Sequence, residues 1–364
     1  MRVENYLRRA YSSFAAHVFD IPARFAAFLS FLTLILLPIT GISSYYLRIL
    51  ISANIFAIFA ASWDLLVGRT GQISLGHALF FGVGGYSTAL LFKYFQLPLL
   101  VTIPLSLLVG TSIAILIGFP CLRVKGPYLA LVTMAFPIIL SSVVKWSPLI
   151  PIFGGEFGIR SLPSFFPFLR IQEQRIAEYY LTLFLLFVSS VILYKIANSK
   201  TGIVLISILD DEVASKSCGI NVTKYKLIAF AISGLFGSLA GCLQAHILKV
   251  SSPPMFSLTL SFTPIILTFL GGIGTIYGPL IGAYIYYILD WYVLTILVPK
   301  LVAVPGWFDY ARLLIFAFVV LILVIKWPRG LARFVTDKLE DLEKARDLDE
   351  RGPKIWKTYK KEKK

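Results

Sequence analysis

Long apolar runs, each close to the length of a membrane-crossing helix, restrict what this chain can fold into. An α-helix needs about 20 apolar residues to cross the roughly 30 Å hydrocarbon core of a bilayer. Ten runs approach this length, over residues 25–40, 47–67, 72–93, 99–119, 128–146, 179–196, 226–247, 259–275, 278–297 and 311–327. With 57% hydrophobic and only 15% charged residues, the composition is too apolar for a soluble protein. The sequence therefore predicts an all-α polytopic membrane protein with about ten transmembrane helices.

The third run opens in a glycine-rich stretch, GRTGQISLGHALFFGVGGYSTALL, at residues 68–91. Gln72, Ser74 and His77 lie close together between glycines, which predicts an irregular start to this helix. Non-helical backbone at membrane depth persists only where protein buries it or where it lines a wet cavity. Two interpretations stay open, a close-packed glycine seam or a solute path. The candidate path residues here are Gly71, Gln72, Ser74, Gly76 and His77.

A second glycine-rich stretch, GGIGTIYGPLIGA at residues 271–283, joins the eighth and ninth runs. Gly278 and Gly282 stand four residues apart, a spacing that lets helices cross closely, so we interpret them as packing residues. For Gly271 and Gly272 two interpretations stay open. They either allow close helix packing or break the helix where it lines the solute path. The second group of candidate path residues, expected to face the first, is Gly271, Gly272 and Thr275.

Few ionisable residues fall inside the runs, and Asp64 and Asp290 are the main ones. An ionisable residue at membrane depth is a candidate functional residue. We nevertheless interpret both as anchors near the membrane interface, and His77 as a hydrogen-bonded packing residue.

The longest polar stretch between two runs is residues 197–225. Asp210 suits an N-cap, acidic residues follow it where a helix start favours negative charge, and Gly219 suits a left-handed helix end. These features predict a short helix, about 211–218, under the membrane. It is either an ordinary solvated helix or a helix that docks into a groove on another protein.

The formal net charge of +15 is concentrated in the chain ends and the predicted inner loops. This distribution predicts cytoplasmic N and C termini and contact with anionic membrane lipid. Nucleic-acid binding is not expected, because no groove-reading motif accompanies the charge. We divide the chain into a cytoplasmic interfacial segment (1–24), a transmembrane domain (25–328) and a charged cytoplasmic tail (329–364).

Catalytic and metal-binding signatures are lacking in the sequence. The three cysteines, Cys121, Cys218 and Cys242, are far apart and have no metal-ligand spacing. There is no Walker A pattern, no HExxH and no GxSxG between a strand and a helix. The sequence therefore predicts that the chain is not an enzyme and binds no cofactor of its own.

Several stretches together resemble the inner-membrane permeases of branched-chain amino acid ABC importers, and most closely the larger of the two permease types. They are the glycine-rich stretch at 68–91, DDEVASKSCGINVTKYKLIAF, LTFLGGIGTIYGPLIGAYI and the Pro-Arg-Gly-Leu that ends at Leu331. The resemblance implies a permease heterodimer with a second permease subunit and two ATP-binding subunits that hold ATP. It also implies an extracytoplasmic solute-binding protein and a small neutral or zwitterionic solute.

The family couples to its ATPases through a short loop helix, and residues 197–225 are similar to that coupling loop. Glu212, Ala214 and Gly219 match its motif, whereas Ser215 replaces a second alanine and Lys216 an acidic residue. The residues assigned to ATPase coupling are Asp211, Glu212, Ala214, Ser215 and Gly219.

The leading hypothesis is an importer permease for branched-chain amino acids in the inner or plasma membrane. One alternative keeps the machinery but changes the solute to urea, a short amide or another small neutral compound. A stand-alone channel or ion-coupled carrier is a second alternative, for which deep ionisable groups are scarce. A membrane-embedded enzyme is a third, and it lacks any acid–base or metal cluster.

Overall fold

A computed structural model describes the chain over residues 31–290 except 32, 123 and 125, and at residues 318, 321, 322, 325, 326, 330 and 331. The segment 1–24, the loop 298–310, the tail beyond residue 331 and most of the last predicted span lie outside these residues. The three-part division of the chain therefore stays a prediction. Residues from Ser43 to Leu331 form one unit. The described part of the other unit contains a short 3-10 helix, Leu37–Thr40.

From Ser44 onward the described residues are mostly helical. The α-helices are α1 Ser44–Thr70, α2 Ala78–Phe95, α3 Leu99–Cys121, α4 Pro127–Lys145, α5 Ile150–Phe153, α6 Ile171–Ala197, α7 Lys200–Asp210, α8 Glu212–Ser217, α9 Val222–Leu248, α10 Leu258–Gly271 and α11 Tyr277–Tyr287. Short 3-10 helices lie at Ser147–Leu149, Gly155–Phe157 and Pro253–Phe256. Two short strands, β1 Ile159–Arg160 and β2 Val250–Ser251, pair antiparallel, with Ile159 opposite Ser251 and Arg160 opposite Val250.

Five of the described helices, α1, α3, α4, α6 and α9, are long and apolar enough to cross a membrane. They coincide with the second, fourth, fifth, sixth and seventh predicted runs, so the helical membrane architecture is confirmed. The total of ten spans stays a prediction. α10 has 14 residues, which at 1.5 Å per residue extend about 21 Å, less than the hydrocarbon core.

Helix α1 is the centre of the described structure. In its most apolar part 89% of the residues are buried by protein, against 28% in α3 and in α4. α1 packs against α6, α9, α10 and α11, so most of its circumference is covered. The exposed faces of α3 and α4 carry large apolar side chains such as Leu108, Leu116 and Leu131, as expected of helix faces that meet lipid or another membrane chain.

Close backbone contacts at glycine hold α2 against α9. A Cβ atom at Gly241 would lie 1.8 Å from the carbonyl oxygen of Phe81, and one at Gly84 would lie 2.1 Å from that of Ser238. Because no side chain fits in these gaps, only glycine allows the two helices to approach this closely.

Helices α10 and α11 form an antiparallel hairpin. A Cβ atom at Gly271 would lie 1.7 Å from the Gly278 carbonyl oxygen, and one at Gly282 would lie 1.9 Å from that of Leu267. The predicted packing role of Gly278 and Gly282 is confirmed. The run predicted to continue to residue 275 instead ends at Gly271, and residues 272–276 form the turn of the hairpin.

Helix α9 separates two features of the unit Ser43–Leu331. α9 begins at Val222, next to α8, and ends at Leu248, next to β2. Its 27 residues extend about 40 Å, so α8 and the β1–β2 ladder lie at opposite ends. We call these the α8 end and the ladder end.

Candidate functional site

Two consecutive residues of α1 hold the irregular segment 71–77 that precedes α2. The Ser62 Oγ lies 2.8 Å from the Nε2 atom of His77. The Trp63 Nε1–H donates to the carbonyl oxygen of Ser74 at 2.9 Å. The segment is non-helical, and α2 begins only at Ala78, so the predicted irregular start is confirmed.

Helix α4 packs tightly against the same segment. A Cβ atom at Gly76 would lie 2.0 Å from the carbonyl oxygen of Thr133. The backbone N–H of Leu75 donates to the hydroxyl of Thr133 at 3.1 Å. At the other end, Gly71 closes α1 with φ +68°, and its N–H donates to the carbonyl of Val67. The segment is therefore a fixed part of the structure.

Two buried polar atoms in this segment have no hydrogen-bond partner among the described residues, Gln72 Oε1 and His77 Nδ1. The hydroxyl of Ser62 also lies 2.7 Å from the carbonyl oxygen of Phe59. In the His77 tautomer in which the Ser62 hydroxyl donates its one proton there, Nε2 of His77 donates to Ser62. Nδ1 is then a bare acceptor, as Gln72 Oε1 is. Leaving such a group unpaired costs about 1–3 kcal/mol, so each atom can accept a hydrogen bond from a buried water.

Asp64, the next residue of α1, holds the hairpin turn between α10 and α11. Its side chain is fully buried. Oδ1 accepts from the N–H of Gly274 at 2.6 Å, and Oδ2 accepts from that of Ile276 at 3.1 Å. The interpretation of Asp64 as an interfacial anchor is therefore wrong, because its carboxylate is enclosed by protein. It accepts hydrogen bonds from turn N–H groups that have no helical acceptor.

The turn held by Asp64 is strained and tightly packed. Ile276 has φ +51°, a left-handed conformation that is rare for a β-branched residue. A Cβ atom at Gly68 would lie 2.7 Å from the Cα of Gly274. One at Gly330, in the Pro-Arg-Gly-Leu stretch, would lie 2.2 Å from the Cα of Gly272. The two hydrogen bonds that the N–H groups of Gly274 and Ile276 donate to Asp64 offset this strain.

The two groups of predicted path residues contact different faces of α1. Neighbouring helix residues project about 100° apart, so Ser62 and Asp64 point to different sides. The predicted arrangement, in which the two groups face each other, is not what these contacts show. Thr275 Oγ donates to the carbonyl of Gly272 and accepts from the N–H of Gly278, both within the hairpin. A path-lining role for either group stays a prediction.

The short helix of the predicted coupling loop is present as α8, with a different cap. Asp211 is its N-cap, and Oδ1 accepts from the N–H of Val213 at 2.8 Å and of Ala214 at 3.0 Å. The prediction that Asp210 is the cap is wrong, because Asp210 is the last residue of α7. Gly219 follows the helix with φ +82°, which confirms the predicted left-handed end.

Glu212 joins α8 to α9. Its carboxylate accepts from Lys216 and from Lys226, each at 2.7 Å. The hydrogen bond from Lys216 is the main cause, and that from Lys226 the second, of a pKa of Glu212 lowered to about 2. The carboxylate is therefore charged at any physiological pH. Lys216, where the family motif has an acidic residue, is thus an internal partner of the helix.

Ser215 is the one buried residue of α8, and the four residues around it from Val213 to Ser217 are exposed. The hydroxyl of Ser215 is buried and donates to the carbonyl of Ser207 in α7 at 2.9 Å. Alanine could not make this hydrogen bond, which gives the serine at this position a structural role. Ala214 is exposed, and Val213 is 70% exposed. The sequence analysis treated residues of α7 as loop and so missed the helix that supports α8. Its start could have been recognised, because Ser199 is a typical N-cap residue. The Ser199 hydroxyl accepts from the N–H of Gly202.

A buried ion pair in α6 was also missed. Glu178 is fully buried, and its carboxylate accepts from Arg175 at 2.8 Å and from Gln174 at 2.8 Å. The predicted span began just after it, at residue 179. In the part of the chain that the structure describes, no group of three or more His, Cys, Asp or Glu residues could hold a metal ion.

Comparison with known proteins identifies a family. The family model described as "Branched-chain amino acid transport system / permease component" matches residues 45–325. The high-affinity branched-chain amino acid transport system permease protein LivM of Salmonella typhimurium is 28% identical over 307 residues, which are 79% of this chain and 69% of that protein. The protein of the same name from Escherichia coli K12 is 29% identical over 250 residues, 63% of this chain and 59% of its own length.

A more distant relative comes from an archaeon. The probable branched-chain amino acid transport permease protein LivM of Methanocaldococcus jannaschii is 24% identical over 297 residues, 75% of this chain and 84% of that protein. No solved structure matches the chain significantly.

Proposed function

Because the chain belongs to the family of branched-chain amino acid transport system permease components, we propose that it is a permease subunit of an ATP-driven importer that carries branched-chain amino acids inward across the inner or plasma membrane. It works beside a second permease subunit, with two ATP-binding subunits on the cytoplasmic side and a solute-binding protein on the other. ATP is held and hydrolysed by the partner subunits. Ten spans with both termini in the cytoplasm complete the arrangement.

Helix α8 carries this proposal. It lies next to the start of α9, is capped by Asp211 and is followed by Gly219. Ser215 and the Glu212–Lys226 pair hold it against α7 and α9. These contacts leave one face exposed around Val213 and fix its position. A rigid helix with a free face suits transmission of a partner's motion, because little of that motion is lost within the helix.

Uncharged acceptors inside the molecule fit an amino-acid solute. A branched-chain amino acid has no net charge and an ammonium group that can donate to Gln72 Oε1 and His77 Nδ1. The fully buried carboxylates of Asp64 and Glu178 are already occupied by hydrogen bonds within the protein. They therefore offer no open charge that would trap the solute, and release can keep pace with entry.

The proposal is tested by reconstituting the chain with its partner subunits in liposomes and measuring uptake of labelled leucine. Unlabelled isoleucine and valine should compete with leucine, and urea should not. ATP hydrolysis should rise when leucine is delivered. Competition by urea at least as strong as that by valine would replace the amino-acid assignment with the neutral-solute alternative.

The coupling role of α8 is tested by Val213→Asp. A charge at an exposed apolar contact should weaken retention of the ATP-binding subunits about 10-fold, the usual effect of losing an interface anchor. Phe168→Asp is the matched control, since Phe168 is 97% exposed and lies in the loop at the ladder end. Equal retention of the ATP-binding subunits by both variants would exclude α8 as their docking site.

A further inference from the structure

A cavity of about 460 Å³ lies at the ladder end, opposite α8. It is formed where the loop between α4 and α6 meets the segment that follows α9. Its lining residues are Glu156, Phe157, Arg160, Lys249, Val250, Ser252 and Pro254. Its volume is in the range of sites that hold small molecules, roughly 300–1,000 Å³.

The cavity carries charges of both signs. Glu156 contributes a carboxylate, and Arg160 and Lys249 contribute two cations. Within the described part of the chain, no cation lies within salt-bridge distance of Glu156, and no carboxylate lies that close to either cation. The guanidinium of Arg160 stacks over the ring of Phe157 at 5.0 Å, which leaves its N–H groups free to donate at the edge.

The backbone around the cavity is firmly held. Arg160 belongs to β1 and pairs across the ladder with Val250 of β2. A Cβ atom at Gly158 would lie 2.0 Å from the carbonyl oxygen of Ser251, so the loop closes directly onto the segment after α9. The N–H of Leu162 donates to the carbonyl of Lys249 at 3.2 Å. These contacts therefore fix the backbone that carries Arg160 and Lys249.

Lys249 provides an independent indication. It ends α9 in a left-handed conformation, φ +59°, where helices usually place glycine. A lysine there costs free energy that a glycine would not, and such strain is characteristic of functional positions. Its side chain lines the cavity instead of pairing with a neighbouring carboxylate.

We propose that this cavity is a reception site for a free amino acid with an aliphatic side chain, held before it enters the membrane domain. The ammonium group is held by Glu156, and the carboxylate by Arg160 and Lys249. The side chain contacts the apolar walls formed by Phe157 and Pro254. A plain anion would meet Glu156, a plain cation would meet two like charges, and a neutral solute such as urea would leave all three charges unpaired.

The position of the cavity fits such a role. Pro254 belongs to the 3-10 helix Pro253–Phe256, whose last two residues are buried and which packs against α2, α4 and α10. The ring of Phe256 stacks on that of Tyr86, with centroids 5.5 Å apart. The Tyr86 hydroxyl is buried and has no hydrogen-bond partner among the described residues. This inference rests on the proposed function, because it names the place where this subunit first binds the same solute.

Equilibrium binding of labelled leucine to the full chain in nanodiscs, without any partner, tests the site. Glu156→Gln should weaken leucine binding about 10-fold, as expected when a charge-assisted hydrogen bond is lost. The double variant Arg160→Gln, Lys249→Asn should weaken it by at least as much. Asparagine is chosen at position 249 because it tolerates the left-handed backbone. The control is Lys145→Gln, an exposed lysine at the end of α4 that does not line the cavity.

Two leucine analogues assign each charge. Binding of 4-methylpentanoate, which lacks the ammonium, should not be weakened by Glu156→Gln. Binding of 3-methylbutylamine, which lacks the carboxylate, should not be weakened by the double variant. Leucine affinities that are the same in wild type and all variants would overturn the reception site, as would absence of leucine binding while the assembled importer still takes up leucine. Failure of leucine uptake by the assembled importer would instead overturn the proposed function.

Discussion

The carboxylate of Asp64 accepts a hydrogen bond from the backbone N–H of Gly274, 210 positions later in the chain, with 2.6 Å between Oδ1 and N. A second N–H, that of Ile276, donates to the other oxygen. One fully buried side chain of the central helix thus holds the turn between α10 and α11. Its hydrogen bonds replace those that the turn residues would make within a helix.

Replacing Asp64 with asparagine should destabilise the folded protein. The amide keeps one acceptor but turns an NH₂ group toward a buried N–H, which leaves that N–H unpaired at a cost of about 1–3 kcal/mol. The thermal unfolding midpoint of the purified protein measures the effect. Asp210→Asn, an exposed change at the end of α7, should leave the midpoint unchanged. An Asp64→Asn protein as stable as the control would mean that the turn does not depend on Asp64.

Replacing Gln72 with leucine should separate transport from stability. The buried Oε1 has no hydrogen-bond partner among the described residues, so the variant should be at least as stable as the wild type. Leucine uptake should nevertheless fall if this acceptor receives the ammonium of the solute. Gln174→Leu is the matched control, because it removes a donor to the buried Glu178 and should lower stability. Unchanged uptake by Gln72→Leu would remove Gln72 from the path.

Replacing Gly272 with leucine should reduce the yield of folded protein before any effect on uptake. Gly272 has φ +124°, and it packs against Gly330. Overpacking such a contact commonly costs about 1–3 kcal/mol, in addition to backbone strain. Gly126→Leu provides a comparison, since Gly126 is also left-handed but has open space around its Cβ position. Normal yield of the Gly272 variant with blocked uptake would restore Gly272 as a path residue.

Changes at the two ends of α8 should weaken coupling to the ATP-binding subunits. Gly219→Leu places a side chain in a left-handed position, at a cost of about 1–2 kcal/mol, although nothing blocks its Cβ. Glu212→Lys would place a third cation beside Lys216 and Lys226. It would also remove the two hydrogen bonds that Glu212 now accepts, one within α8 and one from α9. Leucine-stimulated ATP hydrolysis should fall in both variants. Gly219→Asn, which tolerates the same conformation, should retain it; full stimulation in the first two variants would contradict a coupling role.

The ladder end and the α8 end should be accessible from opposite sides of a sealed membrane. Ser164 is buried and would label poorly, whereas Phe168 is fully available for replacement by cysteine. The native Cys218, exposed beside α8, serves as the opposite probe, and the other two cysteines are buried. A membrane-impermeant thiol reagent should label the two positions from different sides, Cys218 from the cytoplasmic one. Labelling of both from the same side would refute the proposed topology.

The sequence by itself determined the local features of this protein. The apolar runs predicted the membrane helices because a bilayer requires a definite length of apolar helix. The order of residues around Glu212 predicted a short helix and its left-handed end at Gly219. The close packing of Gly278 and Gly282 was also predictable. Each of these features follows from the spacing or type of residues within a short stretch of the chain.

Only the tertiary structure decided which distant segments meet. Asp64 was interpreted as an interfacial anchor because nothing near it in sequence shows that it is buried against residues 274–276. The charges of Glu156 and Lys249 come together only because α9 returns the chain to the loop before α6. The irregular segment 71–77 and the turn 272–276 are held by different faces of α1. Apolar helices have similar surfaces in lipid, so their pairing is set by close fit and buried hydrogen bonds, which local sequence patterns do not contain.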